Sequence, residues 1–316
     1  MNPFRIRDAQ VWTFTLPLRN PFVTALGSKS ETTNAAIRLR LSGGAQGYGE
    51  ASSSIVMKRL SPAALARALE GLIERLRGRD ARELEPLAAD IWRLCPHAPA
   101  AAAAFECAAL DAMLGAQGIG MAEWFGGAQD SIETDLTISA WPAPQAAEAA
   151  RMLGRELRII LDGNQGFTAE GALRFVERAA RRARVVLFEQ PLPRAKLKEA
   201  AWLNHRSPAP LAADESVRSP AEALAVLDAG AAEVINVKTA KLGLRRSLDV
   251  VALARAEGKG LMIGCMQESA RGLSASVHLA CGLGAFSYAD LDSDALLGEG
   301  QPRGGFAREG PLLRLT

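Results

Sequence analysis

Histidine is nearly absent from this sequence: His97, His205 and His278 are the three in 316 residues. No two of them have the spacing that sets two imidazoles on one helix face. A zinc site or a Ser-His-Asp triad is therefore not expected. Cysteine is scarce as well. Cys95, Cys107, Cys265 and Cys281 form no CxxC pair, which points to reduced thiols rather than a disulfide framework. An excess of one charge is missing too: 37 basic residues against 35 acidic ones leave +2. Nothing here has the footprint of a nucleic-acid binder, and the basic cluster Arg178 to Arg184 reads as a solvated helix face. No apolar run approaches the ~20 residues of a membrane span, and the start, MNPFRIRDAQVWTF, has no signal-peptide core. The expectation is a cytoplasmic protein with a small-molecule substrate and no membrane or nucleic-acid partner; a homo-oligomer stays open. One further absence matters below: no lysine lies between Lys58 and Lys196.

What is present is concentrated between Leu157 and Lys241. Four short apolar runs, LRIILD, VVLFE, APLAAD and EVINVK, end at Asp162, Glu189, Asp214 and Lys238, at intervals of 27, 25 and 24 residues. Ala-rich amphipathic segments between them are each long enough for one helix. This is a βα repeat, and in parallel βα architectures the carboxyl ends of the strands carry the chemistry.

The first ~120 residues have a different grammar. Residues 4–16 read as a strand, Pro17 to Asn20 as a turn, 21–27 as extended, and AAIRLRL (35–41) as a strictly alternating strand. Ser61-Pro62 predicts a helix start, with Ser61 as N-cap and Pro62 in the first turn. Asp80 to Leu94 and the Ala-rich Pro99 to Gly115 predict two more helices. After Gly126-Gly127 strands and helices alternate. TDLTIS (134–139) predicts a strand and Pro142 to Leu153 a helix. Counting from Thr134 gives seven strands, starting near 134, 157, 185, 209, 233, 259 and 285. The expectation is an α/β barrel, residues 126–297, with an α+β capping domain, residues 1–125, to which the tail 298–316 returns.

Three carboxylates at successive strand ends suit a hard divalent cation, which takes oxygen ligands and keeps positions open for water and substrate. Taken singly, Asp162, Glu189 or Asp214 reads as a first-turn helix acid; three at regular βα spacing do not. Asn164 and Gln190 are placed to orient such ligands. Glu215, next to Asp214, adds a like charge that a cation would relieve. Lys238 ends an apolar strand and is a candidate proton-transfer base, with Lys241 as its competitor. Cys265 and Glu268 stand at another strand end in GCMQES. With no histidine nearby, Cys265 reads as a small buried residue. Asp290 and Asp292 flank Leu291, so on a strand both point to one face, as an ammonium-binding pair or a solvated strand end.

These motifs, DGNQGF (162–167), EQPLP (189–193), ADES (213–216), INVK (235–238), GCMQES (264–269) and DLD (290–292), together with PF-TAL (21–26) and GYGEA (47–51), resemble the enolase superfamily. Within it they are most similar to the muconate-lactonizing-enzyme subgroup and its dipeptide epimerases. The resemblance covers nearly the whole chain. It implies a modified TIM barrel under a cap, Mg²⁺ on Asp162, Glu189 and Asp214, and an enediolate formed by removal of the α-proton of a carboxylate substrate. It further implies Lys238 as one of two catalytic lysines, and Thr137, Glu268, Asp290 and Asp292 as contacts to a dipeptide.

The chain departs from that pattern at one point. The partner lysine belongs to a K-x-K run on the second barrel strand, and here TDLTIS leads through one helix directly to LRIILDGN. About one βα unit is missing, ~30 residues. A base on one face can exchange a proton but cannot invert a centre efficiently alone, so activity stays an open question. The alternatives are a catalytically impaired metal-binding homologue, an o-succinylbenzoate synthase-like lyase, or a recorded sequence that has lost a segment. In the cap, TALGSKS (24–30) has Gly27 where Glu-selective relatives have arginine, and Lys29 is the nearest substitute.

Overall fold

The alternation of AAIRLRL extends well beyond residue 35. It belongs to a 15-residue strand, β2 (Gly27–Leu41), flanked by β1 (Ile6–Thr24) and β3 (Gln46–Ala51) in an antiparallel sheet ordered β1-β2-β3. The structure is a computed structural model and describes residues 2–24, 27–53, 60–137 and 158–316. The turn expected at Pro17–Asn20 is instead an irregularity inside β1, where the register passes from Pro17↔Glu31 to Phe22↔Lys29. β1 is an edge strand, the position in a sheet where proline is tolerated.

One face of β2, formed by Ala35, Ile37, Leu39 and Leu41, is fully buried. Helix α1 (Pro62–Leu76) covers it with Leu65, Leu69, Leu72 and Leu76. Ser61 caps α1 as expected, its side chain accepting from Ala64 N at 3.2 Å. Helix α2 (Leu84–Leu94) starts four residues later than predicted. Helix α3 (Pro99–Gln117) is the Ala-rich one. By length and composition alone it is long and apolar enough to cross a membrane, but 78% of the qualifying window is buried inside the protein, the position of a core helix.

The alanines of α3 have a specific partner. A Cβ placed on Gly49 would lie 1.8 Å from the carbonyl oxygen of Ala104, and one on Gly47 would lie 2.1 Å from that of Ala108. Backbone meets backbone here, so no side chain can swing away. Gly49→Ala is expected to destabilise the fold by about 3 kcal/mol, read as a lower urea midpoint with unchanged slope; a midpoint equal to wild type would refute this close approach.

A short helix, α4 (Met121–Trp124), leads to β4 (Ser131–Glu133). Then six strands form one parallel sheet: β5 (Arg158–Asp162), β6 (Arg184–Glu189), β7 (Leu211–Ala213), β8 (Val234–Lys238), β9 (Gly260–Gly264) and β10 (Tyr288–Asp290). Each pairs with its sequence neighbour, in the order β10-β9-β8-β7-β6-β5. Helices α5 (Ala169–Ala180), α6 (Leu197–Asn204), α7 (Pro220–Asp228), α8 (Thr239–Ala256, broken at Gly243) and α9 (Ala270–Leu283) make the crossovers. The sheet curls strongly: the Tyr288 hydroxyl of β10 lies 3.4 Å from the Val186 carbonyl of β6. The Arg158 guanidinium of β5 stacks over the Tyr288 ring at 5.7 Å. Strands at opposite ends of the sheet order thus touch through their side chains, as in a barrel.

Seven parallel strands were expected, and six are found among the described residues. The difference is TDLTIS. The strand here is Ser131–Glu133, which pairs not with the barrel but with β12 (Leu312–Leu315); β12 in turn pairs with β11 (Phe306–Glu309). Residues 134–137 run beside β10 without forming a ladder: Asp135 N donates to Ala289 O at 2.9 Å, and Leu291 N donates to Thr134 Oγ1 at 2.7 Å. A side-chain acceptor takes the place of the next ladder carbonyl, which leaves the segment short of a strand. The predicted helix Pro142 to Leu153, and the stretch where the missing βα unit would attach, lie outside the described residues. A last helical turn, α10 (Ser293–Leu296), follows β10.

Candidate active site at the strand ends

Parallel register sets the acids side by side. Asp162 at the end of β5 is the Cα partner of Glu189 at the end of β6. Ala212 of β7 pairs with Glu189, which puts Asp214 just beyond the same edge. Lys238 closes β8 opposite Gly264 of β9, and Gly264 is opposite Asp290 of β10. Gly264 is needed there. An added Cβ would stand 2.7 Å from both Lys238 Cε and Asn236 Oδ1.

Lys238 is buried, with Nζ 2.8 Å from Asp214 Oδ2 and 3.8 Å from Glu189 Oε1. Burial pulls its pKa down, but the Asp214, Glu189 and Asp290 carboxylates outweigh burial and hold it well above the usual lysine value. Lys241 reaches the same acid, donating to the Asp214 carbonyl at 2.7 Å and to its carboxylate. Burial is the main cause of its lowered pKa. Between two ammonium groups Asp214 stays ionised: they overcome burial and hold it below the carboxylate range. Asp162 stands at the open rim, yet loss of water in the crowded mouth and the charge of Glu189 push it up to about 8. Burial pushes Glu189 up as well, with Asp214 adding to it.

The turns holding these acids are unusual. Asn164, Gln165 and Gln190 have positive φ, at 42°, 63° and 33°, a conformation that costs non-glycine residues of order 1 kcal/mol or more and clusters at functional sites. Asn164 touches Asp162 through its backbone N–H, at 2.9 Å from Oδ1, and not through its side chain. Gln190 orients backbone rather than a carboxylate. Its Oε1 accepts from Asp214 N at 2.9 Å and from Ser216 N at 3.1 Å. Glu215 accepts from Gln165 Nε2 at 3.1 Å, and burial pushes its pKa up, with the neighbouring Asp214 charge next.

On the other side of the mouth Thr137 is tied to both DxD acids. Its N–H donates to Asp292 Oδ2 at 2.6 Å, and its hydroxyl lies 3.3 Å from Asp290 Oδ1. Burial raises both carboxyls, and Asp290 is raised further by the Asp292 charge. Glu268 lies toward the cap, within electrostatic reach of both Glu50 and Lys238. It is buried beside Glu50 of the cap, accepts from Met266 N at 3.2 Å, and is pushed up to about 7 by burial. It lines a cavity of about 490 Å³ between α3, α9 and residues 303–305, which none of Asp162, Glu189, Asp214 and Lys238 lines. In the cap, Lys29 is half-buried, 3.3 Å from Thr32 Oγ1 and 3.4 Å from the Ser53 carbonyl, and burial lowers it to about 8.

Sequence reasoning missed two residues. Asn236 is fully buried and its Nδ2 donates to Glu189 Oε1 at 2.6 Å. The signal was available, since Asn236 lies two residues before Lys238 and shares its face of the strand. Asp135, two before Thr137, joins Asp290 and Asp292. Burial and those two charges push it up strongly.

As a donor set, Asp162, Glu189 and Asp214 fit a divalent cation. All three offer oxygen, they stand on adjacent strand ends, and mutual repulsion in Asp162 and Glu189, with burial in Glu189, disfavours the ionised form that a cation would restore.

Comparison with known proteins agrees with this geometry. Residues 6–126 match the model of the mandelate racemase / muconate lactonizing enzyme N-terminal domain, and residues 109–309 match that of the enolase C-terminal domain-like family. An aromatic dipeptide epimerase of Herpetosiphon aurantiacus is 34% identical, over 99% of this chain and 97% of that protein. That alignment runs over 345 positions against 316 residues here, so the relative has residues without counterpart in this chain. The crystal structure of a mandelate racemase/muconate lactonizing protein from the same organism superposes with a TM-score of 0.93 at 33% identity, covering 99% and 96% of the two chains. A Methylococcus capsulatus dipeptide epimerase, solved with Mg and the dipeptide L-Arg-D-Lys, gives 0.87 at 30% identity, covering 99% and 97%. With both halves matched in order, this chain belongs to the mandelate racemase/muconate lactonizing enzyme family of the enolase superfamily.

Proposed function

We propose that this chain is a Mg²⁺-dependent, dipeptide epimerase-like isomerase that exchanges the α-proton of a dipeptide at the carbon next to its carboxylate. The observation that carries the reading is the position of Lys238: a buried amine 2.8 Å from Asp214 and 3.8 Å from Glu189, flanked across β9 by Asp290. Asp162, Glu189 and Asp214 would hold the cation, whose charge, when bound, offsets the negative charge that develops on the substrate carboxylate. Asn236 fixes Glu189, and Gln190 fixes the backbone of Asp214. Asp290 and Asp292, held by Thr137, take the substrate ammonium. Lys238 removes and returns the proton, which requires it to be neutral when it acts; a cation held by Asp162, Glu189 and Asp214 would offset the carboxylate charges that keep it protonated. Inversion needs a second donor on the opposite face. No lysine lies between Lys58 and Lys196 to supply it, so exchange runs ahead of epimerisation.

A dipeptide library in D₂O with Mg²⁺ tests this by proton NMR. The expected result is deuterium at the α-carbon of some members, abolished by EDTA and restored by Mg²⁺, with retained configuration dominating at early times. Failure of every member to take up deuterium while Mg²⁺ is bound would overturn the proposal.

A further inference from the structure

Cys265 directly follows β9, and Asp290 ends the neighbouring strand β10 in register with Gly264. The Cys265 Sγ and a carboxylate oxygen from each of Asp290 and Asp292 all lie within 4.8 Å of one another. Two carboxylates at a strand end need no metal; an ammonium satisfies them. The thiol is a different matter. Cys265 is only 8% exposed and forms no hydrogen bond among the described residues, yet its sulfur faces the two carboxylates. Beside them, Asp135 holds an Oδ1 that is buried and without a partner among the described residues. An ammonium gains almost nothing from a thiol sulfur, which is a weak acceptor. One sulfur with two or three oxygens is instead the donor set of a borderline-soft divalent ion, and such ligands commonly surround Zn²⁺. The Asp162, Glu189 and Asp214 set offers oxygen alone and has no such preference.

We propose that Cys265, Asp290 and Asp292, with Asp135 as an adjoining oxygen donor, form a second cation site that takes a thiophilic divalent ion of the Zn²⁺ type where a substrate ammonium would otherwise sit. The ion displaces the thiol proton to solvent as the metal–sulfur bond forms, with no change of oxidation state. The inhibitory consequence rests on the dipeptide reading: ion and ammonium compete for Asp290 and Asp292, so Zn²⁺ inhibits a Mg²⁺-saturated enzyme competitively with dipeptide.

The test uses Co²⁺ as a spectroscopic stand-in, titrated into Mg²⁺-saturated protein. A cobalt–thiolate charge-transfer band saturating at one equivalent is expected, because oxygen ligands cannot give that band. It should vanish in Cys265→Ser, weaken about tenfold or more in affinity in Asp292→Asn, and survive in Asp162→Asn. Thermal melts of the three variants establish that each is folded. No band in the wild-type protein, or a band that persists in folded Cys265→Ser, overturns the second site. A Cys265-dependent band that dipeptides do not displace supports the ion site while removing the ammonium role of the two aspartates, so the two readings fail separately.

Discussion

Replacing Lys238 by methionine lowers α-deuterium uptake by about 10²–10⁴-fold, the range that a positioned general base contributes. Methionine keeps the unbranched stem in its buried channel beside Gly264 and Asn236 and removes only the amine. The three acids lose the ammonium that now lies against Asp214 and near Glu189. Their mutual repulsion rises, and a divalent cation relieves more of it. The variant should therefore bind Mg²⁺ at least as tightly as wild type by calorimetry while failing at exchange. This pairing distinguishes a lost base from a collapsed site. Unchanged exchange would transfer the role to Lys241, whose Nζ is already committed to the carbonyl and carboxylate of Asp214.

The second large effect is structural. Glu50→Ala should cost about 3 kcal/mol of stability, because it leaves several buried donors without their acceptor. Glu50 is 5% exposed and accepts from Asn34 Nδ2 at 2.8 Å, Tyr48 Oη at 3.0 Å, Ser269 N at 2.9 Å and Ser269 Oγ at 2.5 Å. Two of these donors belong to the cap sheet, and two to the residue that caps α9. Asn34 also donates to the Gln267 carbonyl at 2.7 Å, so the same network holds the loop carrying Cys265 and Glu268. Alanine strands these donors at a buried junction beside the cavity, where each unsatisfied group costs about 1–3 kcal/mol. Glu50→Gln keeps one acceptor oxygen and should lose less than half as much in urea denaturation. An alanine variant within 1 kcal/mol of wild type would show that water replaces the carboxylate.

Much of the site was legible in advance, for a reason visible in the four runs ending at Asp162, Glu189, Asp214 and Lys238. A parallel strand, a helix and two turns need about 25 residues, so regular spacing places successive strand ends beside one another. The register partners Asp162↔Glu189 and Lys238↔Gly264 realise that expectation. TDLTIS misled because its alternation is genuine, yet β12 takes the residues just before it and Thr134 satisfies β10 through a side chain. Pro17 misled in the opposite sense, since a proline that ends a central strand is tolerated at an edge. The resemblance implied Glu268 as a substrate contact; its place beside Glu50 and along the cavity under the cap could not be read from the sequence.

By itself the sequence determined which residue types stand at the strand ends, their order around the barrel mouth, and the lack of a lysine between Lys58 and Lys196. It determined the Ala and Gly positions that let α3 meet β3. The tertiary structure alone decided that Lys238 and Lys241 share Asp214, that Asn236 holds Glu189, that Cys265 faces Asp290 and Asp292, and that Glu50 bonds a residue 219 positions away. The division has a physical cause. Periodicity and spacing are properties of the chain, whereas charge coupling and desolvation depend on distances in space and on how much water is left between the groups.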